Sequence, residues 1–247
     1  MQNKDKISAG FLIIGDEILS GRTVDLNLNF LAKNLAELGI NLNEVRVVRD
    51  TENDIIIAVR ELSSKFDYVF TSGGIGPTHD DITSASIAKA FNDRLILNLQ
   101  AKEILIDHYG QENINDARLK MGYIPSSASL LDNPVSSAPG FCIKNVFVMA
   151  GIPKIFQAMF EECKKQLKFG KKMLVKEIAI NLTESIIAKE FGDLQMQYPQ
   201  VIMGSYPFDG GTSLVFRSTD KNLLEISTNQ MLIIIDKIKP NSIIKIS

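Results

Sequence analysis

The chain has 247 residues, 45% of them hydrophobic and 23% charged, a composition typical of a globular protein with a sizeable core. Its net charge of −2, without a basic stripe, argues against nucleic-acid binding. The two cysteines have neither metal-site nor disulfide spacing, and the sequence shows no secretory signal. No apolar run is long enough to span a bilayer. These features predict a cytoplasmic protein without a membrane partner.

Strand and helix signals alternate along the first two thirds of the chain. Continuous or short apolar runs predict strands at residues 11–14, 42–48 and 68–70. Helical patterns follow each strand, at residues 28–38, 51–62 and 81–91. Either Asp50 or Thr51 can cap the second helix. Repeated β-α-β units predict an α/β fold of three layers, α/β/α, around a mostly parallel sheet.

The later segments predict the end of this domain and a second one. In chain order they are a helical stretch at 98–120, an extended loop at 125–140, a hairpin of 141–143 with 146–149, and a helix at 153–168. A basic stretch near Gly170 marks the boundary, so we predict one domain at 1–168 and another at 172–247. The second reads β-α-β-β-α, with a last strand at 243–246, and is predicted as a small α+β domain.

A glycine-rich loop after the third strand is the strongest chemical motif. Its candidate ligand-binding residues are Ser72, Gly73, Gly74, Gly76 and Thr78. Glycines allow close backbone approach, and N–H groups at a loop entering a helix bind anions. The spacing matches neither a Walker A loop nor a dinucleotide fingerprint.

Two carboxylates, Asp80 and Asp81, follow the glycines directly. Carboxylates repel phosphate, and a divalent cation such as Mg²⁺ would resolve this by bridging both groups. Asp50 follows the second strand and falls at the same predicted sheet edge. The simpler alternative is that Asp81 caps the following helix, a role that is compatible with binding a cation.

A second polar cluster follows the first strand. It consists of Gly15, Asp16, Glu17, Ser20, Arg22 and Asn27. Glu17 can bind a metal or a ribose hydroxyl, and Arg22 can reach a phosphate. A hydrogen-bonded loop with helix caps at Asp25 or Asn27 is the structural alternative.

The two motifs, residues 15–22 and 73–81 in this order, closely resemble the CinA-type branch of the molybdopterin-binding (MoaB/Mog-like) superfamily. The segments 138–141, 151–153 and 204–207 resemble it too, and the first of these adds Pro139 and Gly140 to the expected ligand contacts. Ser136-Ser137 departs from the family's glycine and hydroxyl residue and is expected to reshape the loop over the ligand. The amidase domain that CinA-type proteins often carry is expected to be missing.

The resemblance implies a pocket for molybdopterin or a nucleotide at this sheet edge. We expect metal-dependent hydrolysis of ADP-ribose or a similar nucleotide diphosphate. Asp81, with Asp50 or Glu17, would hold the metal, and Asp80 or His79 would activate water. A binding protein with little catalysis and a molybdenum-cofactor adenylyltransferase are the alternatives. We also expect a homo-oligomer.

Overall fold

Strand β1, Ile7–Ile14, is buried and apolar from Ala9 onward because helices pack against both faces of the sheet that contains it. Phe11 and Ile13 join one buried cluster, and Leu12 and Ile14 join another on the opposite face. The computed structural model describes residues 7–247, so the first six residues of the predicted first domain lie outside the description. The chain divides into one unit ending at Gly170 and another beginning at Lys171.

The first unit is built on a mixed, mostly parallel sheet. The further strands of this unit are β2 Ile40–Val48, β3 Tyr68–Ser72, β4 Leu95–Leu97, β5 Tyr123–Pro125, β6 Ser129–Leu131, β7 Gly140–Ile143 and β8 Val146–Met149. β4 and β5 form a small sheet of their own. The main sheet has the order β2-β1-β3-β8-β7-β6, in which β2, β1, β3 and β8 are parallel to one another. β7 runs antiparallel to β8, as the predicted hairpin requires.

Helices cover both faces of this sheet. The helices of the first unit are α1 Asp16–Leu19, α2 Asn27–Glu37, α3 Glu52–Lys65, α4 Thr83–Ala90, α5 Leu99–Tyr109, α6 Asp116–Lys120 and α7 Pro153–Lys164. Leu31 of α2 and Phe156 of α7 belong to the cluster that contains Phe11. Ile55 of α3 and Ile87 of α4 belong to the opposite cluster, which contains Leu12. The predicted α/β/α fold is confirmed.

The second unit is a small α+β fold, also as predicted. Its elements are β9 Leu174–Ile180, α8 Glu184–Gln197, β10 Ile202–Phe208, β11 Gly211–Ser218, α9 Lys221–Ile238 and β12 Ile243–Ile246. The strands form an antiparallel sheet in the order β10-β11-β9-β12. Ile178 and Phe216 of the sheet share a buried cluster with Leu194 and Met231 of the helices. Between residues 7 and 247, every helix is too short or too polar to cross a membrane.

Several predicted boundaries were wrong. α4 begins at Thr83 rather than Asp81, and α7 ends at Lys164 rather than 168. The predicted loop 125–140 contains strand β6. The small sheet of β4 and β5 was not predicted, because each strand has only three residues and 25 residues separate them.

Candidate functional site

The parallel strands bring four loops to one edge of the main sheet. Gly15 follows β1, Asp50 lies just beyond β2, Gly73 follows β3 and Gly151 lies just beyond β8. Hydrogen bonds tie the loops together: the Gly15 N–H donates to the Val48 carbonyl at 3.1 Å, and the Gly73 N–H to the Met149 carbonyl at 3.2 Å. The two polar motifs of the sequence therefore lie at this edge, where ligands of open α/β sheets bind.

The glycines at the start of the loop after β3 fill positions that exclude a side chain. Gly73 has φ +109°, and a Cβ there would lie 2.2 Å from the Ile14 carbonyl oxygen. Gly74 has φ +69°, and a Cβ there would lie 2.1 Å from Oγ1 of Thr83. Thr83, the first residue of α4, holds the loop by donating its N–H to the Gly74 carbonyl and its hydroxyl to the Gly73 carbonyl.

Three consecutive amides of this loop are available to an anion. The N–H groups of Gly74, Ile75 and Gly76 have no hydrogen-bond acceptor within the described part of the chain. The Gly73 N–H differs, because the Met149 carbonyl already accepts it. All three free amides precede α4, whose dipole favours negative charge at this end.

Asp81 closes the loop on itself and does not cap α4. Its Oδ2 accepts hydrogen bonds from the Thr78 N–H at 2.8 Å and the Thr78 hydroxyl at 2.6 Å. The residue that caps α4 is Ile82, which offers no side-chain acceptor, so the helix-cap interpretation of Asp81 was wrong. Thr78 and Asp81 therefore hold this turn of the loop closed.

Asp50 lies among like charges. Its Oδ2 accepts the Asp16 N–H at 2.8 Å, which ties the loop after β2 to the loop after β1. The alternative in which Asp50 caps α3 was wrong, since Thr51 occupies that position. Partial burial raises the pKa of Asp50, and the charges of Glu17, Asp16 and Asp80 raise it further, against the lowering effect of the Asp16 N–H. A cation at this point would relieve the repulsion.

The predicted metal ligands Glu17, Asp50 and Asp81 do not form a ready-made cluster. Among residues 7–247, no group of three or more histidine, cysteine or acidic side chains is arranged to hold a metal ion. Mg²⁺ is often held by one or two carboxylates together with substrate phosphates. Glu17 and Asp50, which interact electrostatically, fit that shared arrangement, whereas Asp81 is engaged by Thr78.

Asn27 is buried, with 2% of its surface exposed, and so reaches a ligand only through its neighbours. Its amide nitrogen donates to the Ser72 hydroxyl and to the Gly151 carbonyl, both at 2.8 Å. Asn27 therefore clamps the ends of β3 and β8 together. Neither predicted cap of α2 holds the cap position, which Leu26 occupies; Asp25, one residue earlier, accepts the Leu28 N–H at 2.7 Å.

The remaining predicted residues divide by exposure. Arg22 is exposed and has no ion-pair partner among the described residues, so it remains free to reach an anion. Ser20 donates its hydroxyl to the Glu17 carbonyl. Pro139 and Gly140 are both buried, and a Cβ on Gly140 would lie 2.3 Å from the Val148 carbonyl oxygen. They support the sheet edge rather than face a ligand.

The turn after the glycines carries its charged groups outward. The His79 side chain is 99% exposed and lies 3.9 Å from Asp80. The nearby Thr78 hydroxyl lowers the pKa of Asp80, so this carboxyl stays ionised. Sequence reasoning missed Arg49, which pairs with Asp16 at 3.2 Å. Arg49 lies between the end of β2 and Asp50, and this position at the predicted sheet edge could have identified it.

Open α/β proteins bind their ligands at the carboxyl ends of their parallel strands, and this sheet carries polar loops and free amides there. The fold and the site therefore place the chain among the ligand-binding α/β proteins. Residues 10–168 match the family described as "Probable molybdopterin binding domain", and residues 172–241 match "FAD synthase, middle domain". The chain belongs to the molybdopterin-binding domain family, in its CinA-type branch.

Individual relatives agree with this placement. A protein of Archaeoglobus fulgidus is 32% identical over 89% of this chain and 95% of its own length. A protein of Caenorhabditis briggsae named "Probable FAD synthase" is 33% identical over 81% of this chain, which spans 43% of that protein. The crystal structure of CinA from Thermoplasma acidophilum is 34% identical, covers 66% of this chain and 99% of its own, and superposes with a TM-score of 0.62.

Proposed function

We propose that this chain hydrolyses the phosphoanhydride bond of ADP-ribose or a similar nucleotide diphosphate with the help of a divalent metal ion. The observation that carries the proposal is the pairing of three free amides at Gly74–Gly76 with an acidic group around Asp50 at the same sheet edge. Amides in this arrangement stabilise the negative charge that develops on phosphate oxygens during hydrolysis.

Each residue group has a separate role in this reaction. The Gly74–Gly76 amides and Arg22 bind the diphosphate oxygens. Asp50 takes a proton from water, because a carboxyl with a raised pKa is a better base than an ordinary aspartate. Water attacks one phosphorus, the bridging P–O bond breaks, and AMP and ribose 5-phosphate leave. A divalent ion held by Glu17 would neutralise phosphate charge.

The relative named "Probable FAD synthase" suggests a second substrate to test. FAD, like ADP-ribose, joins an adenylate to a second phosphate through one anhydride bond. We therefore include FAD beside ADP-ribose as a substrate in which the same bond is cleaved.

The test is product release from ADP-ribose and from FAD with Mg²⁺, Mn²⁺ or Co²⁺. We expect AMP in a metal-dependent reaction, a loss of at least 100-fold in Asp50→Asn, as for removal of a general base, and full activity in Asp107→Asn. Asp107 is an exposed aspartate of α5 without a hydrogen-bond partner in the described chain, and so is a matched control. No AMP with any metal would eliminate hydrolysis of these substrates.

The second candidate is ligand binding without turnover, or transfer of an adenylate to molybdopterin. The engagement of Asp81 by Thr78 favours binding alone, because it leaves fewer carboxylates for a metal. Calorimetric binding of AMP or a pterin without turnover would support the first alternative. Adenylylation of molybdopterin by ATP would support the second.

A further inference from the structure

Within residues 171–247, the two helices of the second unit cover one face of its sheet and leave the other open. Leu214 and Phe216 of β11 share a buried cluster with residues of α8 and α9, so they point toward the helices. Side chains alternate along a strand, and residues paired across a ladder point to the same side. The other side, here called the open face, therefore carries Val175, Glu177, Ile202, Tyr206, Val215 and Arg217.

The open face is apolar at positions that a solvated sheet face usually fills with polar residues. Val175, Ile202 and Tyr206 are 56%, 47% and 51% exposed. The Tyr206 ring lies back over Gly204, where an added Cβ would come within 3.2 Å of the Tyr206 hydroxyl. The ring therefore lies along the strand, and the open face is flat enough to pack against a second sheet.

Two charged side chains of the open face lack partners. The Nε–H of Arg217 is buried without a hydrogen-bond acceptor, and its guanidinium forms no ion pair within residues 7–247. A buried donor without an acceptor is costly, so it calls for an explanation. Glu177 accepts the Ser213 hydroxyl with one carboxylate oxygen, and its other oxygen has no partner in the described chain. Val215 pairs with Glu177 and Arg217 with Val175, so the two charges are diagonal neighbours on the sheet.

We infer that the open face binds the open face of a second copy of this chain. In a two-fold pairing, Arg217 of each copy meets Glu177 of the other, and each guanidinium gains the carboxylate that it lacks. The Nε–H and one Nη–H of an arginine donate side by side to the two oxygens of a carboxylate. The apolar residues around this pair then pack sheet against sheet. Charge complementarity selects this partner, because the open face carries both members of the ion pair.

The size of the face and the state of the sheet edges define the expected dimer further. At ordinary strand spacings the four strands cover roughly 400 Å² per copy. This is a small interface, so we expect a weak dimer in the micromolar range. Pairing through the β10 edge is blocked, because Gln195 accepts the Met203 N–H at 2.9 Å and Pro207 has no N–H. The β12 edge is the competing route, which the experiment separates from the open face.

The test is sedimentation velocity of the full chain over a micromolar concentration series. We expect a monomer–dimer equilibrium that Arg217→Glu or Glu177→Arg alone weakens at least about tenfold, because each sets like charges against each other. The double variant Arg217→Glu with Glu177→Arg restores the pair and should return to within about threefold of wild type. Lys189→Glu is the control, because Lys189 is an exposed lysine of α8 and α8 covers the opposite face.

Three outcomes would overturn the inference. They are a chain that stays monomeric across the series, a dimer that every charge variant leaves unchanged, and single variants that the double variant does not rescue. Loss of the dimer in Ile244→Lys alone would assign the contact to the β12 edge instead, since Ile244 is 57% exposed on that strand. If Arg217→Glu fails to melt cooperatively, Ile202→Lys replaces it, because a charge at this exposed position of the open face should weaken the same dimer.

Discussion

Asp50 carries an energetic cost that its surroundings explain. Its carboxyl is partly buried and faces the charges of Glu17, Asp16 and Asp80, so its pKa is raised in the folded protein. The folded chain then binds a proton more tightly than the unfolded chain. Stability therefore falls as pH rises from the ordinary aspartate pKa through the raised one, and the full penalty is present above that range. Such a penalty is common at functional sites.

Replacing Asp50 by asparagine should remove this penalty. Asparagine keeps an oxygen that can accept the Asp16 N–H, so we expect Asp50→Asn to raise the melting temperature at pH 7 by about 1–2 °C. The effect is small because solvent screens a partly exposed carboxyl. Thermal melts from pH 3 to 8 should show the difference from wild type vanishing at the acid end. A difference that does not depend on pH would contradict the electrostatic explanation.

Asn27 shows how a buried amide can support a site without touching the ligand. Asn27→Ala removes two hydrogen bonds and leaves the Gly151 carbonyl and the Ser72 hydroxyl without this donor. We expect a loss of about 2–3 kcal/mol in the free energy of unfolding, measured by urea denaturation. Asn29→Ala is the control, because Asn29 is an exposed residue of the same helix without a hydrogen-bonding partner in the described chain. Similar losses in both variants would refute the clamp.

At the scale of elements, the glycine loop needs glycine both for its positive φ angles and because neighbouring atoms leave no room for a Cβ. Gly74 and Gly21 have similar φ angles, +69° and +73°, but a Cβ meets Thr83 only at Gly74. We expect Gly21→Ala to cost about 1–2 kcal/mol from backbone strain alone. Gly74→Ala should cost at least about 3 kcal/mol, because a clash adds to the strain. Denaturation curves of the two variants measure the difference, and equal costs would show that the close approach to Thr83 is unimportant.

The small sheet of β4 and β5 marks the limit of prediction from local pattern. Three-residue strands give too few positions for an alternation to be recognised, and their pairing spans a helix, a turn and a second helix. By contrast, β1 and β3 were recognised because two-sided burial produces an apolar run that is visible locally.

At the scale of the whole molecule, each unit has a hydrophobic core of its own. The clusters around Phe11 and Leu12 lie in the first unit, and the cluster around Ile178 lies in the second. All the candidate site residues belong to the first unit, which ends at Gly170.

We expect the fragments 1–170 and 171–247 to fold separately. The shorter fragment should melt cooperatively but at a lower temperature, because a small unit buries a smaller share of its surface. Fragment 1–170 should bind AMP with the affinity of the full chain. Circular dichroism melts and calorimetry test both expectations, and an AMP affinity that falls more than tenfold in fragment 1–170 would show that the second unit contributes to the site.

The sequence by itself determined the order of most helices and strands and the position of two polar motifs after buried strands. It could do so because apolar periodicity, glycine and turn residues act over a few neighbouring positions. Only the tertiary structure decided which groups meet. Asn27 joins partners 45 and 124 residues away, and Asp50 accepts the amide of a residue 34 positions earlier. Such partners follow from the packing of whole elements, which no local pattern encodes.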